Sequence, residues 1–216
     1  MRARFGGRHK GLKPPCFVLK TDKSEFVGRA SDVAPIFASR SGVEGGRLLL
    51  ARFSRKRELA GLPPALAASG TLEARLATNS KDMRRAQRLR YRVFFEEGGA
   101  SPHPAARLMR RDICRFDRVS DHLIVVDSAL EERDGSPKIV GVYRLLRQDV
   151  AERNFGFYSA GEFEVEALLR RHPGMRFLEV GRACVLRSHR GKRALELLWR
   201  GLLAYAQRHD VDAMIG

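Results

Sequence analysis

Residues 176–186 have the sequence RFLEVGRACVL, and the loop RSHRGK follows at 187–192. The first segment is short, apolar and bounded by turn residues, so it predicts a β-strand. The segment 193–209 has leucines and alanines at helical spacing and predicts a long helix. A strand, a basic loop that contains glycine, and a helix therefore follow one another, and this joint is the most informative part of the chain.

Strand and helix signals alternate on both sides of this joint. The predicted elements upstream are a strand at 71–78, an amphipathic helix at 81–97, paired strands at 122–127 and 138–146, and a short helix at 164–171. The last residues, 211–216, predict another strand. This order is typical of an α/β fold with one mixed sheet.

The first 70 residues differ from the rest of the chain. They contain 14 of the 41 Lys and Arg residues but 5 of the 25 Asp and Glu residues, together with 9 of the 20 glycines. Sustained periodicity is missing from this segment, apart from short apolar pieces such as CFVLK. We therefore predict a basic, flexible arm at 1–70 and a folded domain at 71–216.

The composition excludes several classes of protein. The 216 residues are 44% hydrophobic and carry a net charge of +16, which is typical of a globular chain with a basic surface. Its apolar runs are far shorter than the roughly 18 residues of a transmembrane helix, and a secretory signal is not indicated. The three cysteines are sparse and widely spaced, which predicts neither a disulfide framework nor a metal site. We expect an intracellular protein.

The basic loop before the last helix is a candidate anion site. Free backbone N–H groups and the helix dipole favour an anion at a helix N-terminus. The candidate residues are Arg187, Arg190, Gly191, Lys192 and Arg193. A solvated surface turn is an equally good interpretation of these residues taken alone.

Six segments within 71–216 resemble the GNAT superfamily of N-acyltransferases. Within it they are most similar to the ornithine N-acyltransferases of ornithine lipid synthesis, relatives of the acyl-homoserine-lactone synthases. The segments are LRYRVFFEE (89–97), RRDICRFDRVSDHLIVVD (110–127), GVYRLLR (141–147), FGFYSAGEF (155–163), LEVGRACVL (178–186) and ELLWRGLLAYA (196–206).

The resemblance implies a fold and a reaction. The fold is a twisted, mixed, mostly antiparallel sheet flanked by helices and splayed where the acyl-carrying arm inserts. Relatives continue past the strand on which this chain ends, so we expect the closing strands to be absent. The implied reaction transfers a 3-hydroxyacyl group from acyl carrier protein to the α-amino group of ornithine, and it needs no permanently bound cofactor and no metal.

The resemblance also implies site residues. Glu179 and Arg182 match the relatives' Glu-x-x-Arg pair, with Glu179 recognising or deprotonating the amine and Arg182 positioning it. Odd spacing places the two on opposite faces of a regular strand, so a shared site requires a bulge. The substrate amino acid would be lined by the matching residues Arg90, Phe94, Asp117 and Arg144. A strand-edge ion pair for the first two, and a buried ion pair of Asp117 with Arg144, are the structural alternatives.

Two positions depart from the pattern of the relatives. Cys114 stands where relatives have an aspartate three residues before Asp117, which leaves the amine acceptor open. Gly191 is followed by Lys192 and Arg193, whereas CoA-dependent relatives have a small residue two positions after the glycine. A cation-rich loop suits the single phosphate and acidic surface of a carrier protein better than the pyrophosphate of CoA.

Three functions therefore remain in view. The favoured function is an ornithine N-acyltransferase that uses acyl carrier protein, in the cytoplasm or at the inner face of an anionic membrane. The second is a GNAT enzyme that transfers from a CoA thioester to another amine. The third is a basic anion-binding module without catalysis, although the phenylalanines at 1–70 are too scattered for a nucleic-acid stacking platform.

Overall fold

The computed structural model describes residues 61–216 and the backbone of Val18–Lys20. The strands are β1 (Val18–Lys20), β2 (Ala67–Ser69), β3 (Leu72–Leu76), β4 (Asp121–Glu131), β5 (Pro137–Arg147), β6 (Phe177–Val185) and β7 (Ala213–Ile215). The α-helices are α1 (Ser80–Tyr91), α2 (Pro104–Met109), α3 (Gln148–Glu152), α4 (Val165–Arg171) and α5 (Lys192–Arg208). Three 3₁₀ turns lie at Arg115–Arg118, Tyr158–Gly161 and Arg187–His189, and a π-helix continues α1 over Arg92–Glu97.

The strands form one seven-stranded sheet in the order β1-β7-β6-β5-β4-β3-β2. All neighbouring pairs are antiparallel except β6 and β7, which are parallel and are joined through α5. The sheet is therefore mixed and mostly antiparallel, and the prediction of an α/β fold with such a sheet is confirmed. Each strand and helix predicted between 71 and 216 is present within a few residues, except that the helix predicted at 81–97 ends as a π-helix.

Residues before 71 also contribute to the sheet. β1 pairs with β7, and β2 forms a hairpin with β3. At these two places the structure differs from the predicted arm, because a three-residue strand gives almost no periodic signal and is stabilised by its neighbour in the sheet. The rest of the predicted arm, residues 1–17 and 21–60, lies outside the described residues.

Helix α5 packs closely on one face of the sheet. Its leucines Leu197, Leu198 and Leu202 are buried. Gly201 permits this approach, since a Cβ atom there would lie 2.9 Å from Cδ1 of Leu123 on β4. His122, the neighbour of Leu123, faces the opposite side of the sheet and is paired in register with Arg144 of β5. The polar residues of the candidate site lie on that opposite face.

The pairing of β5 with β6 contains a bulge. Val142 is paired with Cys184 and Arg144 with Gly181, so two steps along β5 correspond to three along β6. Arg182 lies within this bulge, between Gly181 and Cys184, and its backbone is left-handed, with φ of 54°. A non-glycine residue in this conformation is unusual and marks a locally strained strand.

Within the described residues, no helix is long and apolar enough to cross a lipid bilayer.

Candidate active site

The centre of the candidate site is a buried pair between Arg90 of α1 and Asp117 of the first 3₁₀ turn. The two guanidinium nitrogens Nη1 and Nη2 of Arg90 donate to the two oxygens of Asp117 at 3.0 and 2.7 Å. Gln87 donates to Oδ2 of Asp117 at 2.9 Å, and the backbone N–H of Cys114 donates to the same atom at 3.2 Å. This bidentate geometry is the strongest form of an arginine–carboxylate contact.

The electrostatics of this pair are those of a permanently charged couple. Burial opposes ionisation of Asp117, but the charge and hydrogen bonds of Arg90 lower the pKa of the carboxyl well below its usual range. Burial likewise disfavours the charged guanidinium, yet Asp117 and Asp112 raise the pKa of Arg90. Asp117 is therefore in a buried ion pair, as the structural alternative has it, but its partner is Arg90 and not Arg144.

Asp112 is a second carboxylate in this cluster, and no sequence pattern singled it out. Its Oδ2 atom lies 3.0 Å from Nε of Arg90 and 3.4 Å from Nε of Arg182. The residue lies in the loop after α2, where a carboxylate is usually solvated. The run RRD at 110–112 gave no signal of burial, because the contact joins residues 22 and 70 positions apart.

Arg182 lies in the bulge of β6 between two aromatic rings. Its Cζ atom is 5.1 Å from the centre of the Tyr158 ring and 5.8 Å from that of Phe94, both within cation–π range. Burial alone would lower the pKa of Arg182, but Asp112, and after it Tyr158, raise it. Phe94 itself lies on the π-helix and is half-buried.

Arg144 is buried without a carboxylate partner among the described residues. It is 1% exposed, and its Nη1 donates to Sγ of Cys114 at 3.1 Å. Its Cζ atom lies 5.4 Å from the ring centre of Phe116 and 5.0 Å from that of Tyr158. A buried guanidinium without a counter-ion is costly, so this position favours an incoming anion.

Glu179 of β6 binds the turn that carries Tyr158. Its Oε2 accepts from the backbone N–H of Tyr158 at 2.9 Å, and its Oε1 accepts from the backbone N–H of Ser159 at 2.6 Å and from the Ser159 hydroxyl. A carboxylate has about four acceptor sites, so three are filled and about one remains. Because Glu179 and Arg182 both contact Tyr158, the bulge allows the two to adjoin a common residue.

The basic loop lies at the start of α5, five residues after Arg182. We call residues 187–193 the basic loop. Gly191 is the N-cap residue of α5 and provides no side-chain cap, so the first N–H groups of the helix lack a capping side chain. Arg190 forms an ion pair with Glu97 and donates to the carbonyl of Val185. The other cations of the loop are exposed and form no ion pair with a described residue: Arg187, Lys192 and Arg193.

Other polar residues of the sequence play smaller parts. His122 is buried, and its Nε2 lies 3.3 Å from the carbonyl oxygen of Asp117. Burial raises the pKa of Cys184 to about 12, which makes it a poor nucleophile at neutral pH. Within residues 61–216, no group of three His, Cys, Asp or Glu side chains is placed to hold a metal ion.

A family model matches this same part of the chain. Residues 89–200, more than half of the 216, match the model described as the acetyltransferase (GNAT) domain. The chain belongs to the GNAT family. The match includes Arg90, the bulge of β6 and the basic loop, so the GNAT domain carries the whole candidate site.

Individual known proteins also match the sequence. The chain is 51% identical over 164 residues to the L-ornithine N(alpha)-acyltransferase of Rhizobium meliloti (strain 1021), covering 76% of this chain and 55% of the relative. It is 53% identical over 147 residues to the protein of the same name from Agrobacterium fabrum (strain C58 / ATCC 33970), covering 68% and 50%. The chain therefore spans about half the length of the curated relatives it matches.

A solved structure is also similar. FeeM, an N-acyl amino acid synthase from uncultured soil microbes, aligns with a TM-score of 0.46 at 14% identity, over 65% of this chain and 67% of that one.

Proposed function

We propose that the protein transfers a 3-hydroxyacyl group from acyl carrier protein to the α-amino group of ornithine. The product is lyso-ornithine lipid, in the first step of ornithine lipid synthesis. The observation that carries the proposal is Arg144, a buried guanidinium that lacks a carboxylate partner among the described residues. The names of the similar proteins support ornithine as the acceptor.

Arg144 is proposed to bind the α-carboxylate of the amino acid. The rings of Phe116 and Tyr158 form cation–π contacts with its guanidinium group, and one guanidinium nitrogen, Nη1, already donates to Sγ of Cys114. The remaining donors of a guanidinium fork match the two oxygens of a carboxylate. A carboxylate at this position would supply the negative charge that Arg144 lacks in the described structure.

Arg90, Asp117 and Phe94 are proposed to form the lining around the bound amino acid. Because each oxygen of Asp117 is bonded to Arg90, this pair supports the site and leaves little capacity for a direct contact with the substrate. Phe94 and Arg182 form the adjoining wall. The lining is therefore rigid, as precise positioning of a small substrate requires.

Glu179 is proposed to contact the substrate amine and to accept its proton. Its fourth acceptor site suits one ammonium N–H, and the turn at Tyr158 fixes the orientation of the carboxylate. The amine nitrogen attacks the thioester carbon, the C–N bond forms and the C–S bond breaks. The proton lost by the amine passes to Glu179 or water, and the sulfur leaves as a thiol after protonation.

The donor is proposed to be a carrier-protein thioester that binds at the basic loop. Its phosphate would meet the N-terminus of α5 and the exposed cations Lys192 and Arg193, and the acidic carrier surface would meet Arg187 and Arg190. The side chain of Arg193 stands where close approach to a pyrophosphate favours a small residue. A CoA thioester acting on another amine is the second candidate.

Contact with an anionic membrane is proposed for the outer face of α1. Arg84 and Arg88 of α1 and Arg92, the first residue of the π-helix that continues it, are exposed, lie about one helical turn apart, and form no ion pair with a described residue. Burial lowers the pKa of the neighbouring Arg111, and the charges of Arg84 and Arg88 lower it further. Such a row attracts phosphate headgroups at about 1 kcal/mol per cation.

The experiment that tests the reaction is product analysis. The purified protein is incubated with 3-hydroxyacyl carrier protein and ornithine, and the products are identified by mass spectrometry. N-acylated ornithine supports the proposal. Absence of this product, together with turnover of an acyl-CoA with another amine, would support the second candidate. No turnover with either donor would leave a basic module that binds anions.

A further inference from the structure

We propose that Asp112 is a positioning residue that holds Arg182 in the site. The residue is 6% exposed, and its Oδ2 lies 3.0 Å from Nε of Arg90 and 3.4 Å from Nε of Arg182, which are ion-pair contacts without hydrogen-bond geometry. It is the one buried carboxylate among the described residues that contacts both arginines.

Asp112 is itself fixed at both ends of its backbone by α1. Its N–H donates to the carbonyl oxygen of Gln87 at 3.0 Å, and its own carbonyl oxygen accepts from Nη2 of Arg90. The carboxylate therefore has a defined position relative to the helix. A residue anchored in this way can impose a position on a more strained neighbour.

Arg182 is that neighbour. Its left-handed backbone in the bulge is unfavourable for a residue with a side chain, and strain of this kind persists only when the surroundings determine it. Its side chain also projects between the rings of Phe94 and Tyr158. The ion pair with Asp112 places a negative charge 3.4 Å from Nε of Arg182, without a hydrogen bond between the two atoms, and the Nη atoms form no ion pair with a described residue.

The two carboxylates of the cluster pair with two of its three arginines and leave Arg144 without a carboxylate partner among the described residues. Asp117 is bonded to Arg90, and Asp112 is shared between Arg90 and Arg182. Arg144 instead donates to the sulfur atom of Cys114. Asp112 thus balances Arg182 while Arg144 keeps its charge for the substrate.

The chain offers a matched control in Asp82. This residue is 2% exposed, lies near the start of α1, and bridges Arg75 and Arg85 at 2.7 and 3.2 Å. It is therefore a buried carboxylate between two arginines near the N-terminus of α1, whereas Asp112 lies outside this helix and contacts Arg90 near its C-terminus. D82N and D112N each remove one buried negative charge that lies beside two arginines, so a general loss of stability affects both.

The first readout is the kinetics of the amino acid and of the donor, and it rests on the proposed function. We expect D112N to lower kcat/KM for the amino acid at least tenfold with little change in the KM for the donor, and D82N to stay within twofold of the wild type. Equal effects of the two substitutions, or an equal rise in both KM values of D112N, would overturn the positioning role.

The second readout does not depend on the reaction. Thermal unfolding is measured for D112N, R182Q and the double variant. If Asp112 holds Arg182, the double variant unfolds at nearly the temperature of the less stable single variant, because the shared contact is lost only once. Additive losses would overturn the proposal. A wild type that yields no product refutes the proposed function while this second readout still decides the role of Asp112.

Discussion

The pair of Arg90 and Asp117 gives the most quantitative prediction, the effect of D117N on stability. The substitution removes the negative charge and one acceptor from a carboxylate that is 1% exposed and bonded to both terminal nitrogens of Arg90. Breaking a buried ion pair costs about 3–5 kcal/mol, because a charge is left without its partner. Asp112 remains 3.0 Å from Nε of Arg90, so we expect the lower end of that range, about 3 kcal/mol.

The measurement is urea and thermal unfolding of the full chain at neutral pH. A loss of about 3 kcal/mol lowers the midpoint of a domain of this size by roughly 6–12 °C. D134N is the control, because Asp134 is an exposed carboxylate that contacts Lys81 at the surface. We expect its midpoint to match the wild type. A loss below about 1 kcal/mol for D117N would refute the assignment of this pair as a buried charged couple.

The difference in stability between the wild type and D117N should also depend on pH. The pKa of Asp117 is lower in the folded protein than the value of about 4 in an unfolded chain. Its stabilisation is therefore complete above pH 4 and declines as the pH falls from about 4 toward the folded pKa. The difference in unfolding free energy between wild type and D117N should shrink in acid. A difference that grows with falling pH would contradict the argument.

Three further predictions concern the reaction. R144Q should raise the KM for the amino acid at least tenfold with a nearly unchanged thermal midpoint. R144K should have nearly as high a KM as R144Q, because an ammonium group cannot reproduce the planar fork of a guanidinium. E179Q should lower kcat sharply. S159A removes one hydrogen-bond donor to Glu179 and keeps the carboxylate, so it should retain most of the wild-type kcat. Equal losses of kcat in the two variants would indicate that Glu179 only holds the turn at Tyr158. K192Q/R193Q should raise the KM for the carrier-protein donor severalfold in low salt, and R170Q/R171Q, an adjacent exposed pair on α4, should not.

Much of the fold follows from local patterns in the sequence. The strands β4 and β5 are long, apolar and joined by a turn-rich segment, so their pairing is predicted without long-range information. Helix α5 is equally clear, because its apolar spacing is sustained over several turns, and Leu198 and Leu202 on that spacing are buried. β1 escapes prediction since its three residues are ordered by β7, a partner nearly 200 positions away.

The candidate site is less accessible to sequence reasoning. Arg90, Asp117 and Arg144 were predicted through a resemblance, but the partner of each depends on tertiary contacts. The local sequence does not indicate that Asp112 is buried, because a carboxylate in a polar loop has the same sequence pattern whether it is solvated or lies between two arginines. The bulge at Arg182 is likewise a property of the β5–β6 register and not of the local sequence.

The central claim is the transfer of an acyl group to the α-amino group of an amino acid held by Arg144. The most direct measurement is the mass spectrum of the product formed from 3-hydroxyacyl carrier protein and ornithine, with fragmentation to locate the amide. We predict one acyl chain on the α-nitrogen of ornithine, and loss of that product in R144Q. An acyl chain on the side-chain nitrogen, or an undiminished product in R144Q, would contradict the account.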